Sequence, residues 1–171
     1  MSGTLQVGGV TLATHTESPS TLTLDSGVVF PVGHLIKAQL DVYSTNNEAN
    51  SATYVTAVQS GGYSIQKTGS TIYIDGHFQW RALDAKSIIK IEWSDDNFST
   101  TNIISTSADR GVGANTSDII WLLVPFHEKI THGKNASDEI KFRVSCNRES
   151  GSGIIQLNIN DSARIRILEV V

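Results

Sequence analysis

Five histidines are the side chains best suited to metal binding or acid–base chemistry: His15, His34, His77, His127 and His132. No two of them are four residues apart, and none belongs to a His-Glu-x-x-His sequence, so the helical zinc-site pattern is missing. His127 and His132 flank a predicted turn, and with Glu128 they could supply three metal ligands. Exposed loop residues are the better interpretation of this group, and we predict no metal site.

Two adjacent carboxylates, Asp95 and Asp96, are the candidates for glycoside hydrolysis, which uses a pair of carboxyl groups in a groove. Neighbouring side chains point to opposite faces of a strand, and in a loop such residues are usually solvated. Gly151-Ser152-Gly153 lacks the strand-turn-helix context of a serine nucleophile. The Gly-rich stretch 111–114 is not followed by the Lys-Ser/Thr of a phosphate loop. We therefore predict that the protein is not an enzyme and uses no cofactor.

Cys146 is the only cysteine, which excludes an internal disulfide and a site of clustered thiolates. It continues the alternating apolar positions Ile140, Phe142 and Val144, which share one face of a predicted strand. The pattern predicts a buried small hydrophobe rather than a reactive thiol.

Aromatic side chains on the surface could bind sugar by stacking. Tyr63 and Tyr73 are our candidates for exposed ligand contacts, and Trp121 is a third residue to consider. For the three tryptophans, Trp80, Trp93 and Trp121, we expect packing in the core or at an interface.

The polar surface of this chain is built from Ser, Thr, Asn and Gln more than from charged residues. Asp, Glu, Lys and Arg make up 18% of the 171 residues, against about 25% in a typical globular protein. The formal net charge of -4 argues against a nucleic-acid partner. The longest apolar run, 119–126, contains Pro125 and is far shorter than the ~18 residues that cross a bilayer. We predict no membrane partner.

Alternating apolar residues predict the strands that must position these side chains. Residues 71–81 place Ile72, Ile74, Phe78 and Trp80 on one face. Apolar and polar residues alternate in the same way through three other stretches, 89–93, 155–159 and 164–167. Turn-forming residues separate them, and no window has a convincing apolar stripe at helical spacing. We predict an all-β fold, an antiparallel jelly-roll β-sandwich with a short extended N-terminal segment.

The first 29 residues depart from this pattern. They hold three apolar couplets that are too small to form a core alone: Leu5 and Val7, Val10 and Leu12, and Leu22 and Leu24. We predict an extended segment over 1–29 that lies across another surface, followed by a head domain over 30–171. These six residues are our candidate anchoring or trimer contacts.

Two further stretches are unusual. Residues 97–117 are a long run of Ser, Thr, Asn and Gly with few apolar anchors. A loop of that length in a compact domain is more often functional than accidental, and a plain solvated loop is the alternative. Residues 119–124 are apolar at every position, which predicts a strand covered on both faces. A neighbouring subunit could supply the second cover.

Several short motifs occur in the order found in one protein family. Val28-Val29-Phe30-Pro31-Val32-Gly33-His34-Leu35-Ile36 resembles its opening FPAGHV(I/L) motif, and 64–74 resembles a strand, a polar turn and a second strand. Residues 138–147 and 153–160 resemble its closing hairpin, and 163–170 is similar to its terminal ITVMEV. The family comprises short tail-fibre, head-fibre and capsid-decoration proteins of tailed bacteriophages, especially marine and cyanobacterial ones. The likeness covers roughly residues 28–171.

This resemblance implies a jelly-roll head similar to trimeric C1q/TNF-like knobs, after an N-terminal segment that attaches to the virion or threads a trimer. It implies a non-catalytic virion protein, made in the host cytoplasm, that decorates or cements the capsid or forms a short fibre. The implied partners are two further copies in a homotrimer and other capsid or tail proteins. A receptor-binding tail fibre would also bind host-surface glycan. We expect a compact trimer docked on the particle, because no long shaft sequence precedes the head.

Overall fold

The computed structural model describes residues 3–7, 10–17, 20–24, 33–82, 84–106, 113–114, 120–159 and 163–171. The regular structure within these ranges consists of β-strands. No helix in this part of the chain is long and apolar enough to cross a membrane. The chain divides into two compact units, residues 1–34 and 35–171, which we describe separately.

The first unit contains three antiparallel strands: β1 (Gly3–Val7), β2 (Val10–Glu17) and β3 (Ser20–Leu24). They pair in the order β1-β2-β3. All six candidate anchoring residues lie on these strands, and Val7 is in register with Val10. The described strands of the predicted extended segment therefore pair with one another as a sheet. The Gly8-Gly9 pair between the first two couplets is a hairpin sequence, and it was the available signal for this.

The second unit is built from twelve further strands within the described residues. They are β4 (Leu35–Tyr43), β5 (Asn47–Ala49), β6 (Val55–Gln59), β7 (Tyr63–Ser64), β8 (Thr71–Ala82), β9 (Ala85–Ser94), β10 (Asn102–Thr106), β11 (Gly113–Ala114), β12 (Ile120–Ile130), β13 (Glu139–Gly151), β14 (Ile155–Leu157) and β15 (Ala163–Val170).

These strands form two antiparallel sheets. The front sheet has the order β4-β15-β8-β12, with β14 and β5 following on beside β8. The back sheet has the order β6-β13-β9-β10, with β7 and β11 attached to it. The two four-stranded orders contain eight principal strands. Numbered one to eight along the chain, these strands have the order 1-8-3-6 in the front sheet and 2-7-4-5 in the back sheet. This is the double Greek key of a jelly roll, so the predicted fold class is confirmed.

The core holds the apolar residues that alternate along the strands. Ile72, Ile74, Phe78 and Trp80 of β8 are all fully buried, as their alternation predicts. Cys146 of β13 is also fully buried, and its burial raises the pKa of the thiol to about 11. The predicted burial of Cys146 is confirmed, and a raised pKa disfavours the reactive thiolate.

The prediction of a closing hairpin over 138–160 is wrong. β13 belongs to the back sheet, whereas β14 pairs with β5 and β8 in the front sheet. Both edges of β13 are already occupied, one by β9 and the other by β6 and β7, so β14 has no free edge there to pair with. Gly151 ends β13 with a φ of 91°, a conformation that favours glycine.

Gly76 of β8 is a glycine that the packing requires. A Cβ atom at this position would overlap the carbonyl oxygen of Arg164 on the neighbouring strand and would lie 2.8 Å from Cζ of Phe126. The absence of a side chain therefore lets β15 and the Phe126 ring approach β8 closely.

Candidate interaction surface

The outward side of the front sheet is a ladder of cross-strand rows, because residues in register point to the same side of a sheet. Three rows cross β4, β15, β8 and β12: Ala38, Leu168, Tyr73 and Lys129; Leu40, Arg166, Asp75 and His127; Val42, Arg164, His77 and Pro125. Two more pairs continue the ladder on β8 and β12, namely Gln79 with Leu123 and Arg81 with Trp121. We call this surface the front face.

Large apolar side chains are exposed at both edges of the front face. On β4, Leu40 is 61% exposed and Val42 is 60% exposed. On β12, the exposed fractions are 43% for Trp121 and 57% for Leu123. The strand that we expected to be covered on both faces therefore exposes apolar side chains on its outward side in the single chain.

Planar polar side chains occupy the rows between these edges. The Arg166 guanidinium donates to the Asp75 carboxylate from Nε and Nη2 at 2.9 to 3.1 Å. The Tyr73 ring stacks on the His127 ring, with centroids 6.2 Å apart and planes inclined by 25°. This arrangement leaves Tyr73 partly exposed on the front face.

Arg81 and Trp121 form a similar pair at one end of the ladder. The guanidinium carbon of Arg81 lies 4.5 Å from the ring centroid of Trp121, which is cation–π geometry. Aromatic and arginine side chains among exposed aliphatic ones are the composition that protein–protein interfaces favour.

The outward side of the back sheet, which we call the back face, has a different chemistry. The carboxylate of Glu92 is fully buried there. Its Oε1 accepts from Arg143 Nε at 2.7 Å and from Ser145 Oγ at 3.1 Å, and its Oε2 lies 2.8 Å from Lys90 Nζ. Burial alone would raise the pKa of Glu92, but the hydrogen bonds from Lys90 and Arg143 bring it below its usual value.

Two rings complete this back-face cluster. Lys90 Nζ lies 4.6 Å from the ring centroid of Tyr54, and the Arg143 guanidinium carbon lies 4.1 Å from that of Phe98. The charges of the back face therefore pair with one another within a single chain.

Tyr63, which we expected to be an exposed ligand contact, is fully buried. Its hydroxyl donates to Glu169 Oε2 at 3.1 Å. The same carboxylate accepts from the backbone N–H groups of Gln66 and Lys67, and from Ser70 Oγ at 2.6 Å. The expectation was wrong because Glu169, near the far end of the chain, draws the tyrosine inward. Burial, together with the charge of Glu169, raises the pKa of the Tyr63 hydroxyl.

The two adjacent carboxylates shape a loop. Asp96 accepts from Ser94 Oγ at 2.6 Å and from the backbone N–H of Thr100 at 3.0 Å, and these bonds lower its pKa to about 2. Asp95 forms an ion pair with Lys134, and its pKa is also lowered. Both carboxyl groups are therefore ionised near neutral pH, whereas glycoside hydrolysis needs one of the pair to be a proton donor.

The three residues considered for a metal site do not converge. His127 is exposed on the front face, as we expected for it. His132 is buried, where Nδ1 accepts from the backbone N–H of Lys134 at 3.0 Å and Nε2 lies 3.3 Å from Ser70 Oγ. The expectation of an exposed His132 was wrong because these two partners hold it inside the turn. Among the described residues, no group of three or more His, Cys, Asp or Glu could hold a metal ion.

Two sequence predictions fall partly outside the described residues. The opening motif over 28–36 is described only from Gly33 onward. Of the long polar stretch, 107–112 and 115–117 are not described, and 102–106 form β10 beside β9.

Fold and surface together define a jelly-roll β-sandwich protein whose front face has exposed apolar edges and whose back face holds a buried charge cluster. No protein-family model and no curated protein matches its sequence. Its structure is similar to a chain of infectious bursal disease virus Gt strain, at 12% identity and a TM-score of 0.43, with 88% of this chain and 42% of that chain covered. It is similar to a VP2 subviral particle of that virus at 13% identity and a TM-score of 0.39, with 88% and 46% covered.

Two other solved structures show comparable likeness. A pentameric capsid protein isolated from metagenomic phage sequences has 16% identity and a TM-score of 0.28, with 66% of this chain and 64% of that chain covered. A xylan-binding domain from Paenibacillus barcinonensis has 10% identity and a TM-score of 0.30, with 84% and 100% covered. This chain spans less than half the length of the bursal disease virus chains that it matches. None of these likenesses assigns the chain to a family.

Proposed function

We propose that this protein is a non-catalytic virion structural protein, a homotrimeric capsid-decoration protein or short fibre anchored by residues 1–29. The observation that carries the proposal is the front face, which exposes large apolar side chains at both of its edges. Exposed apolar patches rimmed by polar groups mark association surfaces in soluble proteins. Copies of the same chain are the partner that the proposal names.

The place in a virion rests on the phage-type order of motifs in the sequence. The terminal motif of that series, 163–170, is strand β15. It lies between β4 and β8 and carries Arg164 and Arg166 on the front face. The stretch with the phage-type resemblance thus contributes to the surface proposed for assembly.

Anchoring is assigned to the N-terminal segment, residues 1–29, which lies within the first unit. A sheet of three strands needs one face covered to be stable. A particle surface or a neighbouring chain would supply that cover. The couplets on β1, β2 and β3 are the contacts that we propose for it.

Particle localisation tests the proposal. An antibody against the purified protein would be applied to particles of the virus that encodes it, and labelling would be imaged by electron microscopy. Regular labelling on the capsid supports decoration, and labelling at the tail supports a fibre. Absence of the protein from purified particles would overturn the proposal.

Recognition of host-surface glycan is a second candidate function. The exposed ring of Trp121 and the partly exposed ring of Tyr73 favour it, since both lie on the front face. Binding of host-cell polysaccharide would be measured for Trp121→Ala and Tyr73→Ala, with Phe98→Ala on the back face as the control. Loss of binding in the first two variants alone, with the oligomeric mass unchanged, would support this function. Equal binding in all variants would exclude a site on these rings.

A further inference from the structure

The two apolar edges of the front face are opposite edges of one sheet. Within the described residues, β12 pairs with β8 alone and β4 pairs with β15 alone. Because β8 and β15 lie between them, the two edges are three strand spacings apart, roughly 14 Å. The two edges can therefore make two separate contacts, one with each neighbouring copy.

We infer that, in the proposed homotrimer, the β12 edge of one subunit packs against the β4 edge of the next, so that three front faces close into a ring. This inference rests on the proposed function. Contact between two different patches of the same chain is heterologous, and it generates a closed ring when the rotation between subunits closes. A twofold dimer would instead bring each edge against its own copy.

Charge complementarity supports this pairing of edges. The row that begins with Trp121 and Arg81 at the β12 edge continues through Gln156 of β14 to Glu48 of β5, on the β4 side of the sheet. Rotation about an axis parallel to the strands keeps each row at the same height. Glu48, which is exposed and accepts from Gln156 Nε2 at 2.8 Å, would therefore meet the Trp121 end of this row in the next subunit, where Arg81 lies over the Trp121 ring. Opposite charges at matched positions fix the register of an interface.

Pro125 limits how the β12 edge can contact the β4 edge of the next subunit. It lies in the middle of β12, where proline provides no N–H group for a further strand. Proline occurs in sheets mainly on edge strands, with its nitrogen turned away from the ladder. The edges therefore meet through side chains such as Leu40 and His127, and the two sheets do not merge into one continuous sheet.

Cysteine cross-linking tests the geometry. The double variant Leu40→Cys/His127→Cys, whose two positions lie at opposite ends of one row, should give covalent dimers and trimers on a denaturing gel after oxidation in its native assembly. Each single variant should stay as separate chains. A disulfide within one subunit is excluded, because it needs Cα atoms within about 7 Å. Cys146 is fully buried and does not interfere.

The matched control is Ile103→Cys/His127→Cys, which moves one cysteine to the back face and should give no cross-linked product. Ile103 is 63% exposed and Leu40 is 61% exposed, so a thiol at either position would be equally accessible. If the wild-type protein is a trimer but the first double variant does not cross-link, the ring geometry is wrong and the proposed function stands. Cross-linking in a single variant would show a twofold contact and also overturn the ring. A monomeric wild-type protein would contradict both.

A charge exchange provides a second measurement. Arg81→Glu and Glu48→Arg should each raise the dissociation constant of the trimer about tenfold or more, and the combined variant should recover most of that loss. Failure of the combined variant to recover, with both single variants weakened, would show that the two side chains do not face each other.

Discussion

The front and back faces both consist of side chains that alternate along their strands. They differ in whether groups of the same chain cover the side chains that water would otherwise solvate or leave exposed. On the back face, Glu92 is buried beneath Lys90 and Arg143, and rings cover the cations. On the front face, Leu40 and Leu123 lie open to solvent at opposite edges. A face whose groups satisfy one another stabilises the single subunit, whereas a face with uncovered apolar groups gains stability from a partner. Substitutions should therefore act on folding at the back face and on assembly at the front face.

The largest effect is expected from Glu92→Ala. This change leaves Lys90 and Arg143 without their buried partner, and breaking such a buried pair costs about 3 kcal/mol of unfolding free energy. Urea denaturation at fixed protein concentration would measure it. Glu92→Gln, which keeps the shape and some hydrogen bonds, is the matched control and should lose less. A loss below about 1 kcal/mol for the alanine variant would contradict a structural role for this cluster.

Leu123→Asp tests the front face at its β12 edge. A charge placed at the centre of a subunit contact should weaken association by about 2 kcal/mol, or roughly 30-fold in the dissociation constant. Analytical ultracentrifugation would measure the change. Ile103→Asp, which places the same charge at an exposed position of the back face, should leave the mass unchanged. Dissociation by Ile103→Asp and not by Leu123→Asp would reverse the assignment of the two faces.

Acid should weaken the back-face cluster. Because the pKa of Glu92 is lower in the folded chain than its ordinary value of 4.5, the ionised carboxylate stabilises the fold above that value. This contribution is lost as the pH falls through the folded-state pKa. The difference in unfolding free energy between wild type and Glu92→Gln should shrink between pH 7 and pH 3 by on the order of 1 kcal/mol. A difference that stays constant over this range would show that Glu92 does not titrate as described.

The smallest effect is expected at the ion pair of the front face. Arg166 is 55% exposed and Asp75 is 25% exposed, and such pairs contribute less than about 1 kcal/mol because solvent screens them. A double-mutant cycle with Arg166→Ala and Asp75→Ala would measure the coupling in the monomeric Leu123→Asp background. A coupling above about 2 kcal/mol would mean that the front face stabilises the single subunit as the back face does.

The alternation of apolar and polar residues correctly predicted which residues of a strand are buried, where that burial depends on the strand's own sequence. The buried positions of β8 and β15 are examples, since one residue in two faces the core along most of each strand. The jelly-roll class followed from many such strands. The order of strands within each sheet did not, because it depends on pairings between residues as distant as Tyr43 and Ala163.

The side chains that sequence reasoning misplaced have partners far along the chain. Tyr63 is buried by Glu169, and His132 is held by Ser70. Alternation predicts that Glu92 lies on an outward face, where a charged residue is ordinarily solvated. It is buried instead, because Tyr54 and Phe98, from other parts of the chain, cover its cationic partners. One local signal was available, since Lys90 and Glu92 are two residues apart on one strand and must share a face.

The native mass of the full chain tests most directly whether exposed front faces join copies of this protein. At micromolar concentration we predict an assembly of three times the 18.5 kDa chain mass. Leu123→Asp, measured beside it, should give the mass of one chain. A stable wild-type monomer at that concentration would contradict the trimer and the role given to the front face.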